Sequence, residues 1–194
     1  ETFREKDGSP ALFGSARLGK YLLVVMRNAS TGSPWPLCNN PEGKFMSRSL
    51  ADCNLDVPIW QLLRASTAAP YYFPPEAIKL GQQEFLFVDG GLTPYNNPSL
   101  IAVLTATLPQ YRIGWRATRE DLHVISVGTG NVRARLPAKL AANINMIDQI
   151  KYLAPAMLSS VSVEQDKLCR ILGDFVNGCA LTSMVDKSEM IEVP

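Results

Sequence analysis

One histidine, His123, and four cysteines are present among the 194 residues, and none of the cysteines forms a C-x-x-C pair. A Cys/His zinc site at any familiar spacing is therefore excluded. Cys38, Cys53, Cys169 and Cys179 read instead as reduced, mostly buried thiols. No metal and no cofactor is expected. Long apolar runs are missing too: none approaches the ~18 residues that a membrane-crossing helix needs. Charge of one sign is scarce, with 19 Lys and Arg against 18 Asp and Glu and a net charge of +1. That balance excludes a nucleic-acid binder driven by a basic face. The opening residues, Glu1 to Asp7, are charged with no apolar segment close behind, so no secretory leader is expected and the reading leans to the cytoplasm.

Several signatures of catalysis are also absent. No serine lies in the G-x-S-x-G pattern of a nucleophile elbow. No run of three glycines offers backbone donors for an oxyanion. Ser126-Val127-Gly128-Thr129-Gly130 lacks the lysine of a phosphate loop, and Arg133 breaks the G-x-G-x-x-G spacing. It reads as a structural turn at a sheet edge.

A hydrophobic content of 46% with 19% charged residues describes a chain able to bury a core. Residues 1–20 are polar and glycine-bearing and read as an excursion. Tyr21 to Arg27 is a continuous apolar run of strand length, expected to be buried on both faces. Asn28 to Lys44 holds Pro34, Pro36, Pro41, Gly32 and Gly43 and reads as loop, with Trp35 and Leu37 pinning it to the body. Pro58 opens a helix through Ile59, Leu62, Leu63 and Ser66, which the prolines from Pro70 onward end. Glu84 to Val88 is a second strand. Asn97-Pro98 opens a helix with Ile101, Leu104, Thr105 and Leu108 on one face. Leu122 to Val127 reads as a third strand, and 140–175 as a long helical region that Pro155 should kink or split. Alternating helices and short apolar strands predict an α/β layered domain with a largely parallel sheet.

The most informative stretch is Phe85-Leu86-Phe87-Val88 running into Asp89-Gly90-Gly91. A carboxylate leaves the end of a strand where the backbone must turn sharply, the place where α/β proteins keep catalytic groups. Asp89 could be a general base or a metal ligand, or it could cap its own turn by accepting backbone N–H groups. Both readings stand on position alone. His123 alternates within an apolar run and reads as a packed structural histidine, so a base acting here would do so without an imidazole from this chain. Arg64 sits among small residues, Ala65 to Ala69, where an ion pair would explain it. Tyr71-Tyr72-Phe73-Pro74-Pro75 could line an acyl-chain pocket, although core packing is the commoner use of such residues.

In order, Arg64 to Pro70, Tyr72 to Pro75, Phe87 to Gly91, Asn96-Asn97-Pro98 and Ser126 to Gly130 resemble the bacterial patatin-like phospholipases. Thr31 to Leu37, with Asn39-Asn40-Pro41, is similar to one subgroup. The resemblance covers residues 15–130. It implies a three-layer α/β/α sandwich and a lipid acyl hydrolase with a Ser–Asp dyad, in which Asp89 is the base and Gly90 and Gly91 form the active-site turn. The substrate would be a glycerolipid or another acyl ester, and peripheral contact with a membrane surface is compatible with it. Oligomeric state stays open. The glycine-rich oxyanion loop and the G-x-S-x-G serine of that family have no match here and by family order would precede Glu1. Residues 1–194 are thus expected to be the C-terminal portion of a single patatin-like phospholipase domain, incomplete at the N-terminus and inactive alone. The alternative is a non-catalytic remnant or interaction module that keeps the scaffold.

Overall fold

The computed structural model describes residues 3–128, 145–174 and 176. Its centre is a four-stranded sheet in the order β2-β1-β4-β3, built from β1 (Leu23–Asn28), β2 (Ser33–Cys38), β3 (Glu76–Leu80) and β4 (Gln83–Asp89). Every pairing in it is antiparallel. This corrects the expected parallel sheet, and the reason is the length of the links. β1 and β2 are joined by Ala29 to Gly32, and β3 and β4 by Gly81-Gln82 alone. A parallel pair needs a crossover of about a dozen residues, whereas a two-residue link can only close a hairpin. Gly81 supplies the positive φ, 59°, that such a turn demands at its first central position.

Two strands lie where the sequence reading saw none. β2 falls in the proline-rich stretch read as loop. Pro34 and Pro36 occupy alternate positions on a strand at the edge of the sheet, the one setting in which a residue without an N–H is tolerated. β3 follows directly on Pro74-Pro75 and from Ala77 onward alternates exposed and buried residues, with Ile78 and Leu80 inside. The expected burial of β1 on both faces is found, since Val24, Val25 and Met26 are all buried.

The core gathers Val24, Met26, Leu37, Ile78, Leu80 and Phe87 from the sheet with Leu62 and Ala65 of α1 (Ile59–Ser66). Trp35 stacks on Phe87 with ring centroids 4.8 Å apart and planes 6° from parallel, and meets Phe85 edge-on at 6.1 Å. Trp35 and Leu37 thus do pin their segment to the body. The N-terminal excursion is fastened by Phe13, whose side chain is fully buried and whose backbone N–H donates to the Val57 carbonyl at 2.9 Å. α1 follows Pro58 as expected and packs on β1, β3 and β4.

α2 (Ser99–Thr107) begins after Pro98 and buries Ile101, Thr105 and Ala106. It packs against α3 (Met146–Leu172), which continues through Pro155 as one helix rather than splitting there. No helix among the described residues is long and apolar enough to cross a membrane.

The third expected strand is not formed. Leu122 to Gly128 carries no ladder, His123 is exposed rather than packed, and Ile125 and Val127 are 87% and 90% exposed. An apolar run becomes a strand only when a neighbour supplies its hydrogen bonds, and none of β1 to β4 pairs with this one. Thr129 and Gly130 of the expected turn, with Leu140, Ile144, Phe175 and Cys179, lie outside the described residues.

Candidate active site

Asp89 is the last residue of β4 and opposes Met26 of β1. Its backbone N–H donates to the Ala68 carbonyl at 3.0 Å, so the end of the strand is tied to the segment following α1. The chain then folds into a single 3-10 turn, Gly90–Leu92. Asp89 Oδ1 accepts the Gly91 N–H at 2.6 Å, which caps that turn. Among the described residues no donor is bonded to Oδ2. The carboxylate is therefore held by one oxygen and presents the other, a geometry that joins the capping and the reactive readings of the sequence rather than deciding between them.

Each glycine has its own reason. A side-chain carbon on Gly90 would overlap the carbonyl of Val25 on the neighbouring strand, so β1 and the turn approach backbone to backbone. The same carbonyl oxygen accepts the hydroxyl of Ser66 at 2.5 Å. A side-chain carbon on Gly91 would lie 3.0 Å from Asp89 Oδ1, 3.1 Å from Asn96 Oδ1 and 3.3 Å from Leu158 Cδ2. The turn is thus walled by its own aspartate, by the loop after it and by α3.

The loop leaving the turn is held by side-chain hydrogen bonds that its residue types make available. Thr93 is buried, its hydroxyl donates to the Gly90 carbonyl at 2.6 Å and accepts the Tyr95 N–H at 3.1 Å. Asn97 Oδ1 accepts both the N–H and the hydroxyl of Ser99, at 3.1 and 2.7 Å, and so fixes the entry to α2. Asn96 reaches the other way, with Nδ2 donating to the Leu158 carbonyl and to Ser162 Oγ on α3. Arg27 completes the frame by donating to the Leu92 carbonyl at 3.3 Å. Ser66 and Thr93 had not been singled out as site residues from sequence. A hydroxyl on the last residue of a helix, or two residues past a glycine pair, is the only signal that could have found them.

Arg64 makes no ion pair among the described residues. It donates to the Pro74 carbonyl at 3.3 Å and lies 5.5 Å from the centre of the Phe73 ring, clipping the proline-aromatic segment to α1. Its Nη1 is buried without a partner there. That segment is not core: Tyr71, Tyr72 and Phe73 are all exposed, Tyr71 at 96% and with φ of 78°. A cleft of about 520 Å³ lies elsewhere, against the N-terminal excursion, lined by Glu5, Ser15, Arg17 and Arg48 among others. Glu5 there accepts the Ser15 hydroxyl at 2.5 Å.

The described thiols are unpaired. Burial pushes the thiol of Cys38 upward from its ordinary range, and burial with the neighbouring Asp166 carboxylate does the same to Cys169.

Fold and site together define a mixed α/β protein whose sheet ends in a carboxylate-bearing glycine turn, with one carboxylate oxygen bonded to the turn and no donor on the other among the described residues. Residues 30–103 match the family model for patatin-like phospholipases, a span that runs from the β1–β2 link into α2 and contains Arg64 to Pro70, Asp89 to Gly91 and Asn96 to Pro98. The chain is similar to phospholipase A I of Arabidopsis thaliana, 33% identical over 78 residues, which make up 40% of this chain and 5% of that protein. It is also similar to patatin-2-Kuras 4 and patatin-15 of Solanum tuberosum. These are 27% and 28% identical over 145 residues, covering 63% of this chain and 39% and 38% of the two relatives. The chain thus spans about two fifths of the length of the patatins that it matches and a twentieth of the phospholipase.

Proposed function

We propose that the protein hydrolyses acyl esters of lipids, with Asp89 as the general base of a Ser–Asp dyad. The observation that carries this reading is the half-anchored carboxylate. Oδ1 is committed to the Gly91 N–H, and that bond fixes the orientation of the group while leaving Oδ2 to accept a proton. The match of residues 30–103 to the patatin-like phospholipase model supports the choice of reaction, and the names of the similar proteins support the choice of lipid substrate. In this reading Oδ2 takes the hydroxyl proton of a serine as the serine oxygen attacks the ester carbonyl. The alcohol leaves, an acyl-enzyme remains, and water releases the fatty acid with the serine restored. No G-x-S-x-G serine is present among the 194 residues. The reading therefore assigns this segment the base and the turn, within the C-terminal portion of a patatin-like domain, and expects residues 1–194 alone to be inactive.

The decisive experiment uses the protein expressed from its complete reading frame. Hydrolysis of a short-chain acyl ester should be abolished by Asp89→Asn, and a fluorophosphonate probe should label the unsubstituted full-length protein. An unchanged rate in the Asn variant would remove Asp89 from the reaction. A complete reading frame with neither labelling nor turnover would favour a scaffold that retains the turn without the chemistry.

A further inference from the structure

Asn96 and Asn97 are adjacent in sequence and do opposite things. Asn97 faces its own helix and accepts the N–H and hydroxyl of Ser99 at the start of α2. Asn96 crosses to α3, donating Nδ2 to the Leu158 carbonyl at 3.3 Å and to Ser162 Oγ at 2.8 Å. A carbonyl oxygen can only accept, so the Leu158 contact fixes which end of the carboxamide faces α3. Oδ1 is thereby turned toward the turn. It lies 3.1 Å from the point where Gly91 would carry a side-chain carbon, and Asp89 Oδ1 lies 3.0 Å from that same point, as Leu158 Cδ2 does at 3.3 Å. Aspartate, carboxamide and α3 thus converge on the bare face of Gly91, the residue whose N–H holds the aspartate.

We propose that Asn96 is a positioning residue for Asp89, and that through it α3 sets the position of the glycine turn. The proposal rests on the reading of Asp89 as the base. Asn96 touches neither the transferred proton nor the ester. It acts on the segment to which Oδ1 is bonded, and a carboxylate misplaced by a fraction of an ångström transfers a proton poorly while the binding of substrate is untouched. The polar character of the α3 seam fits this role. Ser162 is half-buried in it, and Gln165 one turn on is buried.

The test compares Asn96→Ala, Ser162→Ala and the double variant in the protein expressed from its complete reading frame, with Asp89→Asn in parallel. Asn96→Ala should lower kcat about 10- to 100-fold with KM within about twofold. Ser162→Ala should lower kcat less, and the double variant should match Asn96→Ala alone, because both act through one link. Independently of activity, the Gly91 amide should exchange with solvent faster in both single variants. An unchanged kcat, an additive double variant, or a Gly91 amide indifferent to both substitutions would overturn the proposal. Should Asn96→Ala fail to fold, Ser162→Ala decides through the same two readouts. If Asp89→Asn retains activity, the reading of the reaction fails. If it loses activity while Asn96→Ala is silent, only the positioning role fails.

Discussion

The carbonyl group of Val25 and the α-carbon of Gly90 are in direct backbone contact, with no room for a side-chain carbon between them. This contact brings the end of β4 against the middle of β1. It also explains why the first residue after Asp89 carries no side chain. Gly90→Ala must push the two strands apart at the site. Its cost should be about 1–3 kcal/mol, the range for an overpacked interior. Urea denaturation checks it, and a variant as stable as the parent would show that the strands separate freely.

Asp89 allows capping and catalysis to be separated. Asn keeps an oxygen able to accept the Gly91 N–H, so Asp89→Asn should change stability by less than about 1 kcal/mol. Asp89→Ala removes the acceptor and should cost about 1 kcal/mol, the usual loss of a side-chain cap. Thermal melts of both variants, set beside their ester-hydrolysis rates, give the result. Loss of activity in the stable Asn variant identifies a chemical role that a cap alone does not have.

Trp35 should be the strongest single fastening of β2. Its ring stacks on Phe87 and meets Phe85. Trp35→Ala should lower stability by about 2–4 kcal/mol, through lost burial and lost ring contact together. The midpoint in urea would fall accordingly, and proteolysis should first open the chain within residues 29–38.

The thiols give a pH dependence with a definite sign. Cys38 and Cys169 are both raised in the folded protein, so the unfolded chain ionises first as pH increases. Their contribution to stability is whole below the ordinary thiol value of about 8.5 and is lost as pH rises through the folded values. Unfolding free energy measured from pH 7 upward should decline in the alkaline range. Burial is the larger cause at Cys169, and Asp166→Asn removes the second, the carboxylate, and should quicken alkylation at pH 8. Equal rates in the two proteins would count against that coupling.

Arg64→Ala should free the aromatic segment, because the bond to the Pro74 carbonyl and the contact with the Phe73 ring are both lost. Limited proteolysis with chymotrypsin should cut at Tyr71 to Phe73 faster than in the parent. Arg64→Lys should behave similarly, since an ammonium lacks the planar face that covers a ring.

How much of this was legible in the sequence depended on how local the cause was. β1, β4, α1 and α2 were readable because their signals are neighbours in sequence: an apolar run, a proline at a helix start, an asparagine-proline pair before an apolar face. β2 was hidden because Pro34 and Pro36 read as breakers unless the strand is known to be an edge, and edge position is a tertiary fact. Leu122 to Val127 was misread for the converse reason, since apolar residues suggest a strand but do not supply one with a partner. The parallel sheet was an inference from alternation, and the two-residue link at Gly81 opposes it only once β3 is recognised as a strand. At the site, Asp89-Gly90-Gly91 announced a turn, but the reason for Gly90 lies at Val25, 65 residues upstream, and no local pattern carries it.

The prolines of β2 have a last consequence, for self-association. An edge strand offers a row of unpaired donors to any passing chain, and β2 withholds two of them at alternate positions. At the opposite edge the Ala77 carbonyl is already taken by the Gln61 side chain at 3.0 Å. Both margins of the sheet are thereby gatekept against templated growth. The hazard for aggregation moves to the exposed apolar run from Val124 to Val127, where a single introduced lysine should improve solubility more than any change along the sheet.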